Sequence, residues 1–107
     1  MAPQRDPDEH VIAHMASLGW DLDVPRTIQH FIVGISTEQE AAELAADLSD
    51  AGYAVRHHPT PRASTWSIQA DLRQIIEIEA IRSQRAEMEG LAERCGATYD
   101  GWGAAQS

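Results

Sequence analysis

The run Thr27-Ile28-Gln29-His30-Phe31-Ile32-Val33-Gly34-Ile35 constrains the fold more than any other stretch of the chain. Its β-branched and aromatic content predicts a strand, long enough for a central place in a sheet. In an unbroken pleat Phe31, Val33 and Ile35 point one way, and Ile28, His30 and Ile32 the other. Both faces are then largely apolar, so each needs a cover. His30 suggests a catalytic base, but no nucleophile accompanies it; a half-buried histidine bonded to a neighbour is the expected role.

Before this strand, residues 1–7 carry Pro3 and Pro7 and read as a flexible arm. Asp8 is placed to cap a short helix reaching about Leu18, with Val11, Ile12, Met15 and Leu18 on one apolar face and Gly19 at its end. His10 and His14 have a spacing that binds metal on a helix. No third ligand stands nearby, so a solvated face is expected instead. Residues 20–25 form a connector, because Pro25 disfavours helix before it.

After the strand, Thr37 and Glu40 match a capping box that opens a helix over 37–51. Ala41, Leu44, Ala45, Leu48 and Ala51 make its apolar stripe, and Gly52 ends it. Residues 53–58 predict a second strand, closed by Pro59-Thr60-Pro61-Arg62. Adjacent His57 and His58 point to opposite faces there and do not share a metal. Residues 64–72 predict a third strand, with Trp66, Ile68, Ala70 and Leu72 alternating with Thr65, Ser67, Gln69 and Asp71, the pattern of one wet face. A long helix from Gln74 or Ile75 to Cys95 turns Ile78, Ile81, Met88, Leu91, Ala92 and Cys95 inward. Its charged residues, Arg82, Arg85 and Arg94 among them, are expected on a solvated, salt-bridged face.

Near the end lies Gly96-Ala97-Thr98-Tyr99-Asp100-Gly101-Trp102-Gly103. Chain ends usually fray, yet this one keeps two large aromatics, each able to bury roughly 150–250 Å². A final strand docked into the body follows, with Asp100-Gly101 supplying turn chemistry. Tyr99, Asp100 and Trp102 are also candidates for a recognition surface.

The elements run helix, then strand–helix–strand–strand–helix–strand. A βαββαβ order in this length predicts an α+β fold, a ferredoxin-like two-layer sandwich with an extra N-terminal helix. Right-handed crossovers place both later helices on one sheet face, with the first and third strands central. The expected boundaries are an arm at 1–7, one domain over 8–103 and a tail at 104–107.

The formal net charge is −9, and all eight basic residues are arginine. Such a balance argues against direct nucleic-acid binding, which needs clustered bases, and favours basic protein surfaces as partners. Glu40, Glu43, Asp47 and Asp50 recur at helical intervals with no base between them. This acidic ridge is either a solvated face or a surface for a basic partner. No apolar run approaches the ~20 residues of a membrane span. The N-terminus lacks an apolar signal region, so a cytoplasmic location is expected. Cys95 stands alone, which excludes an internal disulfide. No phosphate loop, HExxH pair or nucleophile elbow occurs, so neither catalysis nor a cofactor is expected.

Tyr99-Asp100-Gly101-Trp102, following a helix that ends in Gly96, resembles the closing signature of the family of regulators of ribonuclease E activity, type B. Arg26 followed by Ile28, His30 and Phe31 resembles that family's first strand. The Ala-rich helix 37–51 running into Gly52-Tyr53-Ala54-Val55 resembles its second unit. The likeness spans residues 20–103. It implies a non-catalytic cytoplasmic protein that binds endoribonuclease E and alters its activity or its RNA-degradation assembly. The alternative is a ferredoxin-like ligand-sensing or protein-interaction module whose partner is unrelated to RNA decay.

Overall fold

The computed structural model describes residues 7–105. Its elements are α1 (Pro7–Ser17), β1 (Arg26–Ile35), α2 (Glu38–Asp50), β2 (Ala54–Pro59), β3 (Trp66–Gln74), α3 (Ile78–Arg94) and β4 (Thr98–Ala104). The expected order of elements is met, and the architecture is α+β. Residues 1–6 of the expected arm lie outside the described residues, while Pro7 opens α1 and Ala104 closes β4.

The four strands form one open sheet in the order β2-β3-β1-β4, antiparallel at every pairing. β1 is thus flanked on both edges, as its composition requires. Its register with β3 runs from Arg26↔Gln74 to Ile32↔Ile68, then slips before Ile35↔Trp66. The slip coincides with Gly34, whose φ of 80° lies in the left-handed region that glycine adopts cheaply. Period two fails across this bulge. Ile35 therefore does not join Phe31 and Val33, as an unbroken pleat predicts, but returns to the face of Ile28, His30 and Ile32. It is fully buried and packs with Ile32, Leu44, Leu48, Ile68 and Met88.

That face carries the core. α2 lays Ala41, Leu44 and Leu48 on it, and α3 contributes Ile81, Met88 and Ala92. A second cluster joins Met15 of α1 to Ile28, Ile76 and Ile81, with Val11, Ile12, Trp20 and Trp102 packed around it. α1 therefore sits beside α3, on the same side of the sheet. Leu18 does not share in this packing; it follows the helix and is 60% exposed. The opposite sheet face, with Phe31, Val33, Gln69 and Asp71, has no described helix over it. The inference that both faces of β1 need a covering layer is corrected here. In the middle of a four-stranded sheet, Phe31 and Val33 are half-buried with no described helix over them.

Local signals explain most ends. Thr37 accepts from the Glu40 amide at 3.1 Å, and α2 closes with Gly52 N–H donating to Ser49 O at 3.0 Å and Tyr53 N–H to Leu48 O at 3.1 Å. One boundary differs substantially. β3 runs on to Gln74, held opposite Arg26, and α3 starts only at Ile78. Pairing with the long β1 overrides the helical spacing of the isoleucines at 75 and 78.

Candidate functional site

Two places stand out, one inside the domain and one on its surface. The interior one is built on the terminal motif. β4 pairs with β1 so that Trp102 lies opposite His30 and Tyr99 opposite Ile32. Between them Phe31↔Gly101 is followed by Ile32↔Tyr99, which leaves Asp100 as an extra residue. Asp100-Gly101 is thus a bulge inside β4 rather than a turn, with Gly101 at φ 105°. The bulge lets Tyr99 and Trp102, three residues apart, both face the helices, while Asp100 stays exposed.

The two aromatics there complete a chain of polar contacts. Trp102 Nε1 donates to Asp8 Oδ1 at 2.9 Å, and Arg85 Nη1 meets the same oxygen at 3.1 Å. Asp8 is 2% exposed, so its charge is sustained by these donors rather than by water. The Arg85 guanidinium also stands 5.7 Å from the centre of the Tyr99 ring. Tyr99 Oη lies 2.8 Å from His30 Nδ1, and His30 Nε2 lies 3.3 Å from Gln84 Oε1. Gln84 and Gln74 exchange amide bonds of 2.6 and 3.2 Å. These partners suit a neutral imidazole, with Tyr99 O–H donating to Nδ1 and Nε2–H donating to Gln84.

Burial favours that neutral state. It lowers the His30 pKa against the raising effects of Gln84, Asp8 and Asp71. Burial likewise pushes the Tyr99 phenol well up, with Arg85 acting the other way, so it remains a donor. His30 is wholly buried instead of half-buried, and among the described residues its side-chain hydrogen bonds go to Tyr99 and Gln84. Together these polar contacts join α1, α3, β1, β3 and β4. Tyr99 and Trp102 act on the protein's own first helix and core.

Sequence reasoning gave Asp8 a capping role and Arg85 a solvated one, and both placements are corrected by this buried pair. A signal was present for Arg85. It stands four residues after Ile81 and three before Met88, on the inward stripe, as Gln84 does in mirror spacing. Nothing local marks Asp8 as its partner.

The surface place is a groove of about 190 Å³ between α2 and α3. Leu44 and Leu91 contribute apolar lining, and Cys95 stands at its α3 end. Glu40, Glu43 and Asp47 line it from α2. The structure thus brings three of the four ridge residues to one groove; Asp50, exposed farther along α2, does not line it. Arg94 lines the groove from α3. The ridge is therefore not without a facing base, although no described ion pair within 4 Å joins Arg94 to it. The alternation of α2 fixes the arrangement, because burying Ala41, Leu44 and Leu48 turns the carboxylates outward beside them.

His10 and His14 are both exposed on α1. Among the described residues no group of three or more His, Cys, Asp or Glu is placed to hold a metal ion. No helix among them is long and apolar enough to cross a membrane. A family model described as regulator of ribonuclease activity B matches residues 5–104. Comparison with curated proteins gives no match.

Proposed function

Since the chain belongs to the family of regulators of ribonuclease activity B, we propose that it binds endoribonuclease E and restrains or redirects that enzyme and its RNA-degradation assembly. It acts in the cytoplasm, by docking on protein and not by cutting RNA. The observation that carries this reading is the family match over nearly the whole chain. The strand order β2-β3-β1-β4 supports describing the domain as a ferredoxin-like sandwich with α1 added.

The docking surface in this proposal is the α2/α3 groove. Glu40, Glu43 and Asp47 suit an Arg- or Lys-rich segment of the ribonuclease, and Asp50 extends the field along the helix. Leu91, half-buried beside the buried Leu44, gives that segment an apolar contact, which a ridge of charges alone does not.

The test is direct. Purified ribonuclease E, cleaving a fluorogenic RNA, is titrated with the protein while complex formation is followed by light scattering. Saturable inhibition with a measurable complex is the expected result. Unchanged cleavage together with no complex overturns the proposal.

A further inference from the structure

Net charge describes the whole molecule, but the strand register distributes that charge unevenly. β2 is an outer strand of the sheet, and no described strand pairs with its free edge. It carries Arg56, His57 and His58 in succession, and exposed Arg62 follows in the turn to β3. The pairs Arg56↔Gln69 and His58↔Ser67 place Arg56 and His58 on the open sheet face, while His57↔Ile68 places His57 on the helix side. Nitrogen-bearing side chains thus stand on both sides of one exposed edge.

A concavity of about 480 Å³ follows that edge and is lined by Val55, Arg56, His57, His58 and Gln69. None of its lining residues is acidic, in a chain whose net charge is −9. Arg56 does approach Asp71, at 3.8 Å, but its side chain is 70% exposed. A solvated pair at that distance holds the guanidinium weakly, so Arg56 remains able to take a second carboxylate. The edge also offers main-chain donors and acceptors. Outer strands with such groups recruit extended segments by adding a strand, with main-chain bonds giving affinity and alternate side chains giving specificity.

We propose that β2 receives an extended, carboxylate-bearing segment of another protein, added beside Ala54–His58. Pro59 has no N–H and ends the ladder there. Alternate side chains of the added strand fall on opposite faces. Carboxylates on one face meet Arg56 and His58, and one on the other meets His57. A second copy of β2 is a poor occupant, because it sets Arg56, His57 and His58 against another such row. A nucleic acid is also a poor one, since among the described residues of this edge Arg56 and Arg62 are the only arginines to meet its phosphates, on a strongly acidic chain. This surface is separate from the α2/α3 groove and has the opposite charge preference, so it does not depend on the ribonuclease reading.

The experiment uses the full-length, isotope-labelled protein and two short peptides, one alternating Glu with Val and one alternating Lys with Val. The Glu peptide is expected to shift the amides of residues 54–58 and slow their exchange, leaving those of β4 unchanged. The Lys peptide is expected to leave residues 54–58 unaffected. Replacing both exposed side chains, Arg56→Glu with His58→Glu, should weaken Glu-peptide binding at least tenfold. If that variant fails to fold, the mapping on the unaltered protein decides alone. The proposal is overturned if the Glu peptide does not bind, if both peptides bind equally at β2, or if the shifts fall elsewhere. Displacement of the Glu peptide by a single-stranded oligonucleotide at lower concentration, or dimerisation through β2 in sedimentation, likewise overturns it.

Discussion

Trp102 Nε1 donates to Asp8 Oδ1 at 2.9 Å, a bond that spans 94 positions and ties the last strand to the first helix. Arg85 of α3 meets the same carboxylate oxygen at 3.1 Å, so three elements converge on one buried charge. The terminal motif thereby owes much of its content to internal attachment. Its bulge presents Tyr99 and Trp102 to the helices and leaves Asp100 exposed.

Removing the indole donor while keeping the ring tests this attachment. Trp102→Phe is expected to destabilise by about 1–3 kcal/mol, because a bond to a buried charged acceptor is lost. Combined with Asp8→Ala in a denaturation cycle, it should show coupling of about 0.5–3 kcal/mol. Strict additivity of the two substitutions would mean that Trp102 contributes packing only.

His30 makes stability fall on the acid side. Its folded pKa is lowered below 6.5, so the unfolded chain binds the proton first as pH drops. This contribution is complete above pH 6.5 and declines below it, by about 1.4 kcal/mol per pH unit, until the folded pKa is reached. His30→Leu should remove that slope between neutral pH and the onset of carboxylate titration. It should also lower stability at neutral pH, by about 1–3 kcal/mol, because the Tyr99 hydroxyl loses its partner while Gln84 keeps its bonds to Gln74. An unchanged acid slope in this variant would place the titration at another residue.

Gly34 is held at φ 80°, and a Cβ added there meets no atom within 4 Å. Gly34→Ala therefore tests backbone strain without a clash. Denaturant unfolding should show a loss of about 1–2 kcal/mol. A neutral outcome would mean that β1 shifts its register cheaply, and exchange of the Ile35 amide would then rise.

Glu43 and Asp47 are exposed, so Glu43→Lys with Asp47→Lys should change thermal stability little, each charge contributing about 0–1 kcal/mol. Association with ribonuclease E should slow several-fold, and that of the unaltered protein should weaken as salt rises. Association indifferent to both charge reversal and salt would exclude the α2/α3 groove as the docking surface.

The sequence was sufficient for the elements and their order because those depend on near neighbours. The length and the β-branched and aromatic content of β1 predicted a central strand, and β3 and β4 flank it. Thr37 marked the start of α2, Gly52 its end, and the spacing of Glu40, Glu43 and Asp47 put them beside Leu44 on one helix. The alternation of β3 correctly separated Ile68 and Ala70 from Gln69 and Asp71. Periodicity carries all of this.

It cannot carry parity across a bulge. Gly34 and Gly101 each interrupt the period of two, and Ile35 and Tyr99 face the core only because extra residues intervene. Nor can it fix which helix end meets which strand. The sheet order sets β4 beside β1, and the packing of α1 against α3 then carries Asp8 to Trp102 and Arg85. Arg94 reaches the acidic groove for a similar reason, because α2 and α3 lie over one sheet face. Those meetings join residues tens of positions apart, and their geometry is decided by how the layers stack rather than by any local pattern.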